Sequence, residues 1–114
     1  MQDHIELSLL LDYYGEFLTE RQRALMQLSV QEDLSLAEIA ELEGISRQGV
    51  RDAIKRGEEQ LRLMETRLRL IHRTTAMRKG LKDIASGVER ADMAAADRAE
   101  LIKNIDALMA RIED

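Results

Sequence analysis

The sequence of 114 residues predicts an all-α protein in which a helix-turn-helix domain is followed by a long helical extension. It contains no proline and only six glycines, so residues that break helices are scarce. Leucine, alanine, glutamate and arginine are abundant, and they favour helices. Apolar residues also recur at the three- and four-residue spacing of helical faces. We expect residues 1–60 to form the helix-turn-helix domain and residues 61–114 to form the extension.

Three short helices are expected before residue 46. The first covers about residues 6–14 and ends before Gly15, since glycine commonly follows a helix. The second runs to about Gln31, and the third ends at Gly44. The second and third helices each begin with a capping box, in which a Ser or Thr is followed three residues later by Glu or Gln: Thr19 with Gln22, and Ser35 with Glu38.

A fourth helix is expected directly after Ser46, which is well suited to cap it. Only two residues separate this helix from Gly44, so the third and fourth helices should meet at a tight corner. Gly49 and Gly57 indicate that close approach or bending is tolerated, and Gly57 stands where an apolar residue is expected. If the helix continues to Lys79, it is roughly 50 Å long. A small domain cannot cover that length, so the distal half needs another partner.

The extension is predicted to form a homodimer. Gly80 and Gly87 flank a weaker helical segment, and a last helix is expected from about Ala94. This tail can fold back on its own chain, leaving a monomer, or it can cross to a second chain. Large apolar residues at helical spacing form the predicted dimer interface: Leu61, Met64, Leu68, Ile71, Leu101, Ile105, Leu108 and Ile112.

The most informative stretch runs from residue 34 to 56 and has the pattern of a helix-turn-helix. Ala40 is small where two helices must cross, Gly44 tolerates a positive φ, and Ile45 and Val50 anchor the second helix. With Val50 facing inward, polar side chains face outward. These are the predicted nucleic-acid-binding residues: Ser46, Arg47, Gln48, Arg51, Asp52, Lys55 and Arg56.

The outward residues suit different parts of DNA. Gln48 and Arg51 can form bidentate hydrogen bonds with adenine and guanine, and the other cations can hold phosphates. Asp52 would repel phosphate unless it pairs with a neighbouring cation. A helix-turn-helix can also serve only to pack helices and contact protein, so this alternative stays open. The aromatic residues are expected in the core rather than as a base-stacking platform: Tyr13, Tyr14 and Phe17.

The distribution of charge favours the nucleic-acid interpretation. The net charge of −5 argues against nonspecific binding to nucleic acid. Residues 1–46, however, carry two basic and ten acidic side chains, residues 47–82 carry eleven and four, and residues 83–114 carry four and eight. The middle segment therefore has a local charge of +7, and it contains the predicted reading helix.

Several classes of protein are disfavoured by the composition. The absence of cysteine removes disulfides, thiolate metal sites and thiol nucleophiles, and the two histidines do not form a metal-binding pattern. No phosphate loop or nucleophile-and-base set is found. We therefore expect a protein that is not an enzyme and needs no cofactor or metal. The acidic amino terminus and the lack of a long apolar run predict a cytoplasmic protein without a membrane partner.

Two segments resemble the YlxM family of helix-turn-helix proteins: LLLDYYGEFLTERQRALMQL at residues 9–28 and DLSLAEIAELEGISRQGVRDAIKRGEEQL at residues 33–61. The same stretch is similar to the DNA-reading domain of bacterial sigma factors. In bacteria the YlxM gene neighbours those of the signal recognition particle GTPases. The resemblance implies a DNA-binding regulatory protein that takes part in the signal recognition particle pathway. The alternative is a module that contacts the protein or RNA of the particle without binding DNA.

Overall fold

The computed structural model describes residues 2–113, and this part of the chain contains six α-helices and no strand. The predicted all-α class is confirmed. A 3-10 turn, Gly15–Phe17, follows the first helix, and a π-helical turn, Gln27–Gln31, continues the second. The helices are α1 Gln2–Tyr14, α2 Glu20–Met26, α3 Leu36–Glu43, α4 Arg47–Leu68, α5 Leu70–Arg90 and α6 Ala95–Glu113.

The chain divides into two compact units, the first ending at Leu70 and the second beginning at Ile71. The division falls later than the sequence-based boundary after residue 60. The reason is that the distal turns of α4 still belong to the core of the first unit, where Leu61 is completely buried. None of the helices in residues 2–113 combines the length and the apolar character that a bilayer crossing requires.

Both predicted capping boxes are present. The Thr19 hydroxyl accepts a hydrogen bond from the Gln22 N–H at 3.1 Å, and the Gln22 side chain accepts one from the Thr19 N–H at 3.3 Å. Ser35 and Glu38 form the same reciprocal pair at 3.1 and 2.9 Å. The hydrogen bonds from the Ser35 backbone and side chain stabilise the carboxylate and lower the pKa of Glu38. These pairs fix where α2 and α3 begin.

The first unit has a core at the junction of α2, α3 and α4. Leu25 from α2, Ile39 and Ala40 from α3, and Val50 from α4 are buried against one another. Ala40 lies where α3 meets α4, as the helix-turn-helix pattern predicts. Partly buried side chains surround this core: Leu28, Leu34, Leu36, Ile45, Ala53 and Ile54.

Gly57 interrupts the apolar pattern of α4 because the buried side chain of Met26 occupies the space beside it. A Cβ atom at position 57 would lie 2.5 Å from the Met26 sulfur and 3.3 Å from its Cγ. Gly57 is itself buried, and Met26 is completely so. The close approach that the sequence indicated is therefore a contact between α4 and α2.

The helix expected to continue from Arg47 to Lys79 is interrupted at Arg69. This residue adopts the left-handed conformation, with φ +55°, and α5 begins at the next position. Sequence periodicity did not reveal the interruption, since arginine is a good helix former. The buried Tyr14 hydroxyl stabilises the joint, because it donates to Glu65 Oε1 at 2.6 Å and accepts from the Leu70 N–H at 3.1 Å. Tyr14 is thus a core residue, as predicted, whereas Phe17 is largely exposed.

Replacing Tyr14 with phenylalanine is expected to destabilise the first unit by about 1–2 kcal/mol, because both of these hydrogen bonds are lost at a buried position. Urea unfolding followed by circular dichroism measures this loss. An unfolding midpoint equal to that of the wild type would show that the hydroxyl does not stabilise the joint.

The second unit consists of α5 and α6. Gly80 and Gly87 do not end a helix: α5 passes through both and ends at Arg90. The Arg98 guanidinium donates to the carbonyl oxygens of Val88 at 3.3 Å and Ala91 at 2.6 Å, so α6 caps the carboxyl end of α5.

Candidate nucleic-acid interface

The corner between α3 and α4 is formed by a left-handed glycine and by hydrogen bonds among neighbouring residues. Gly44 ends α3 with φ +67°, a conformation that glycine adopts without steric cost. The Ile45 N–H then bonds to the Ala40 carbonyl at 3.1 Å, and the Ser46 hydroxyl accepts from the Gly49 N–H at 3.0 Å. Together these contacts produce the tight turn between two helices that the sequence predicted.

Burial of Val50 determines which face of α4 meets solvent. Val50 is 0% exposed and points into the core. The solvent-exposed surface formed by the cap and the first turns of α4, which we call the reading face, carries all seven residues predicted to bind nucleic acid. Each of the seven is exposed: Ser46, Arg47, Gln48, Arg51, Asp52, Lys55 and Arg56. The structure therefore brings these residues together at the cap and on the amino-terminal half of α4.

Asp52 pairs with Gln48 rather than with a cation. The Gln48 Nε2 donates to Asp52 Oδ1 at 2.9 Å. A primary amide has two N–H donors and a carbonyl acceptor, so Gln48 keeps a donor and an acceptor for a base edge. From the sequence, the Asp52 carboxylate was expected mainly to repel phosphate. In the structure it orients the Gln48 amide. The four-residue spacing of the two side chains on one helix is the signal that predicts such a contact.

The cations of the reading face have no anionic partner among the described residues. Arg47, Arg51, Lys55 and Arg56 form no ion pair within residues 2–113. Farther along α4 the situation differs, because Arg62 lies 3.1 Å from carboxylate oxygens of both Glu6 and Glu58. The positive charge of the reading face is therefore exposed and available to an anionic ligand.

The neighbouring helix α3 has the opposite character. Its exposed residues include three carboxylates, at Glu38, Glu41 and Glu43, and Leu42 is 64% exposed among them. Such a surface repels phosphate but can contact a basic or apolar partner. Sequence reasoning did not single out this surface, because it treated α3 only as the support for α4.

The residues predicted to form a dimer interface are placed unequally. Leu61 is 0% exposed in the core of the first unit, so it cannot line an interface in this fold. Ile105 is also buried, within the second unit. The remaining residues are half-buried or exposed: Met64, Leu68, Ile71, Leu101, Leu108 and Ile112.

Comparisons with known proteins identify the family to which this chain is similar. The family model described as "Putative helix-turn-helix protein, YlxM / p13 like" matches residues 1–106. A UPF0122 protein of Symbiobacterium thermophilum is 41% identical over 99 residues, which cover 87% of this chain and 92% of the relative. A UPF0122 protein of Thermoanaerobacter sp. is 38% identical over 112 residues, covering 98% and 95%. One from Clostridium botulinum is 49% identical over 79 residues, covering 69% and 71%. The chain therefore belongs to the YlxM/p13-like family of helix-turn-helix proteins.

Proposed function

We propose that this protein is a regulatory protein that binds duplex DNA by placing α4 in the major groove. The observation that carries the proposal is the exposed group of four cations on the reading face that form no ion pair among the described residues, at the start of the second helix of a helix-turn-helix. In DNA-binding proteins with this motif, the first turns of that helix contact the base edges.

The residues of the reading face divide into two roles. Arg51 is suited to a bidentate contact with guanine, and Gln48, held by Asp52, is suited to adenine. Arg47, Lys55 and Arg56 are suited to phosphates on either side of the groove, and Ser46 caps the amino-terminal end of α4.

We further propose that this regulation concerns the signal recognition particle pathway. The support is the resemblance of residues 9–28 and 33–61 to the YlxM family, whose gene neighbours those of the particle's GTPases. In this proposal the bound DNA would lie near genes for components of that pathway. Sequencing of the genomic DNA that co-purifies with the protein shows where it binds, and this tests the proposed link to the pathway separately.

Replacing Arg51 with alanine is expected to weaken binding to a selected DNA site by about 1–3 kcal/mol while leaving the melting temperature unchanged, because the side chain is exposed. The site is obtained by repeated enrichment of a random duplex library with the wild-type protein. Fluorescence anisotropy then gives the dissociation constants. Arg21→Ala is the matched control, since Arg21 is an exposed arginine on α2.

Lys55→Ala separates the two roles on the same helix. A phosphate contact contributes equally to all sequences, so its loss should weaken selected and random duplexes alike and reduce the salt dependence of binding. Failure of the library to enrich would contradict sequence-specific DNA binding. Arg51→Ala and Arg21→Ala variants that bind the selected site equally well would contradict the assigned role of Arg51.

A second candidate function is contact with the protein or RNA of the signal recognition particle. The exposed Leu42 between Glu41 and Glu43 favours it, because this surface suits a protein partner better than DNA. Titration of the labelled protein with the purified particle GTPase, with the particle RNA and with duplex DNA distinguishes the candidates. Binding to the GTPase that Leu42→Glu abolishes, without binding to DNA, would favour this second function.

A further inference from the structure

The two helices of the second unit leave most of their apolar surface uncovered. Among residues 71–113, Ile105 is the only hydrophobic side chain that is buried. Met77 is 51% exposed, Ile84 is 55% exposed and Leu108 is 51% exposed. A pair of helices this small cannot bury enough surface to be stable alone, since helices in proteins depend on packing of their apolar faces. The unit therefore needs a partner.

The spacing of these side chains is that of helices in a bundle. Along α5 the apolar positions alternate by three and four residues, and α6 has the same alternation. This spacing is typical of left-handed bundles, in which helices cross at roughly 20°. The positions are Met77, Leu81, Ile84 and Val88 on α5. On α6 they are Leu101, Ile105, Leu108 and Ile112.

Residues from both rows line one open groove between α5 and α6. Its volume is about 580 Å³, and its lining is largely apolar, with Met77, Leu81 and Ile84 on one side and Leu108 and Ile112 on the other. The two helices thus form half of a bundle, because side chains from both rows are exposed in the open groove.

Two glycines in the middle of α5 add an independent observation. Gly80 and Gly87 are seven residues apart, so they lie on the same side of the helix, and Gly80 lines the groove. A Cβ atom at either position would have no neighbour within 4 Å among residues 2–113. Glycine destabilises a helix interior, and no contact among these residues requires it here. Close approach of the backbone of another helix would require glycine at these positions.

We infer that the groove is covered by α5 and α6 of a second copy, which runs antiparallel to the first, so that two α5 and two α6 helices form a four-helix bundle. Arg78 Nε lies 3.8 Å from Glu113 Oε1, so the start of α5 adjoins the end of α6. The half of the unit made of residues 71–82 and 105–113 has five basic and two acidic side chains, a net +3. The half made of residues 83–104 has five acidic and three basic, a net −2.

This division of charge selects a second copy as the partner. In an antiparallel pair related by a twofold axis, the basic half of each copy lies on the acidic half of the other. The interface differs from the one expected from sequence, since it uses Met77, Leu81 and Ile84 of α5 in place of four residues nearer the first unit: Leu61, Met64, Leu68 and Ile71. The inference does not depend on DNA binding and is tested without nucleic acid.

Sedimentation equilibrium of the full chain at micromolar concentration tests the inference. The expected mass is twice the 13.0 kDa of one chain. Leu108→Glu and Ile84→Glu should each reduce it to that of one chain, because a carboxylate would enter the apolar groove. Ala107→Glu is the matched control, since Ala107 is exposed on α6 outside the groove, and it should leave the dimer intact.

Gly80→Ala keeps the experiment decisive if the glutamate variants unfold. Alanine favours the helix, so folding is not at risk, but its methyl group should obstruct the approach of the second copy. We expect the dissociation constant of the dimer to rise by about tenfold. The inference would be overturned if the wild-type protein has the mass of one chain. It would also be overturned if the Leu108→Glu and Ile84→Glu variants fold and still form a dimer. A Gly80→Ala dimer as tight as the wild type would overturn it as well.

Discussion

Replacing Val50 with aspartate is expected to unfold the unit that contains α4. Val50 is 0% exposed and packs with Leu25, Ile39 and Ala40, so the new carboxylate would have no polar partner in this core. Burial of an unpaired charge costs several kcal/mol, which is comparable to the total stability of a small domain. Thermal melting followed by circular dichroism should show the loss of a cooperative transition for the first unit.

Thr66→Asp is the control for this substitution. Thr66 is a β-branched residue on the same helix but is exposed, so we expect a change of less than about 1 kcal/mol. A Val50→Asp protein that melts like the wild type would mean that α4 is rotated from the orientation described above. In that case the residues assigned to the reading face would lose their exposure, and the DNA-binding proposal would lose its structural basis.

Features that depend on neighbouring residues could be predicted from the sequence. The capping boxes at Thr19 and Ser35, the left-handed turn at Gly44 and the cap at Ser46 each depend on residues within four positions. Because these local signals agree with the apolar pattern around Val50, they predict the helix-turn-helix correctly. They also place the outward residues of α4 on the exposed face.

Features that depend on distant contacts could not be predicted in this way. The end of α4 at Arg69 depends on a left-handed arginine beside the hydroxyl of Tyr14, a residue 56 positions away from Leu70. The burial of Leu61 depends on how α4 packs within the first unit. A row of apolar residues identifies a face that must be covered, but it does not show which part of the protein covers it.

Gly57 is the position where the local pattern and the packing of the fold disagree most, since the periodicity of α4 calls for an apolar residue. Gly57→Leu is nevertheless expected to destabilise the first unit by about 3 kcal/mol or more. Even its Cβ atom would lie 2.5 Å from the sulfur of Met26, a side chain that is completely buried in the core. Glu59→Leu, an exposed site two residues along α4, should have little effect.

A double-mutant cycle with Met26→Ala tests whether this one contact is the cause. Met26→Ala alone should cost about 2–5 kcal/mol, because it leaves a cavity between α2 and α4. In the double variant the leucine at position 57 can fill the space that the methionine vacates. Urea unfolding measures the loss of unfolding free energy in each variant. The losses of the two single variants should then add up to at least about 1 kcal/mol more than the loss of the double variant. Additive losses would show that Gly57 is required for a reason other than its contact with Met26.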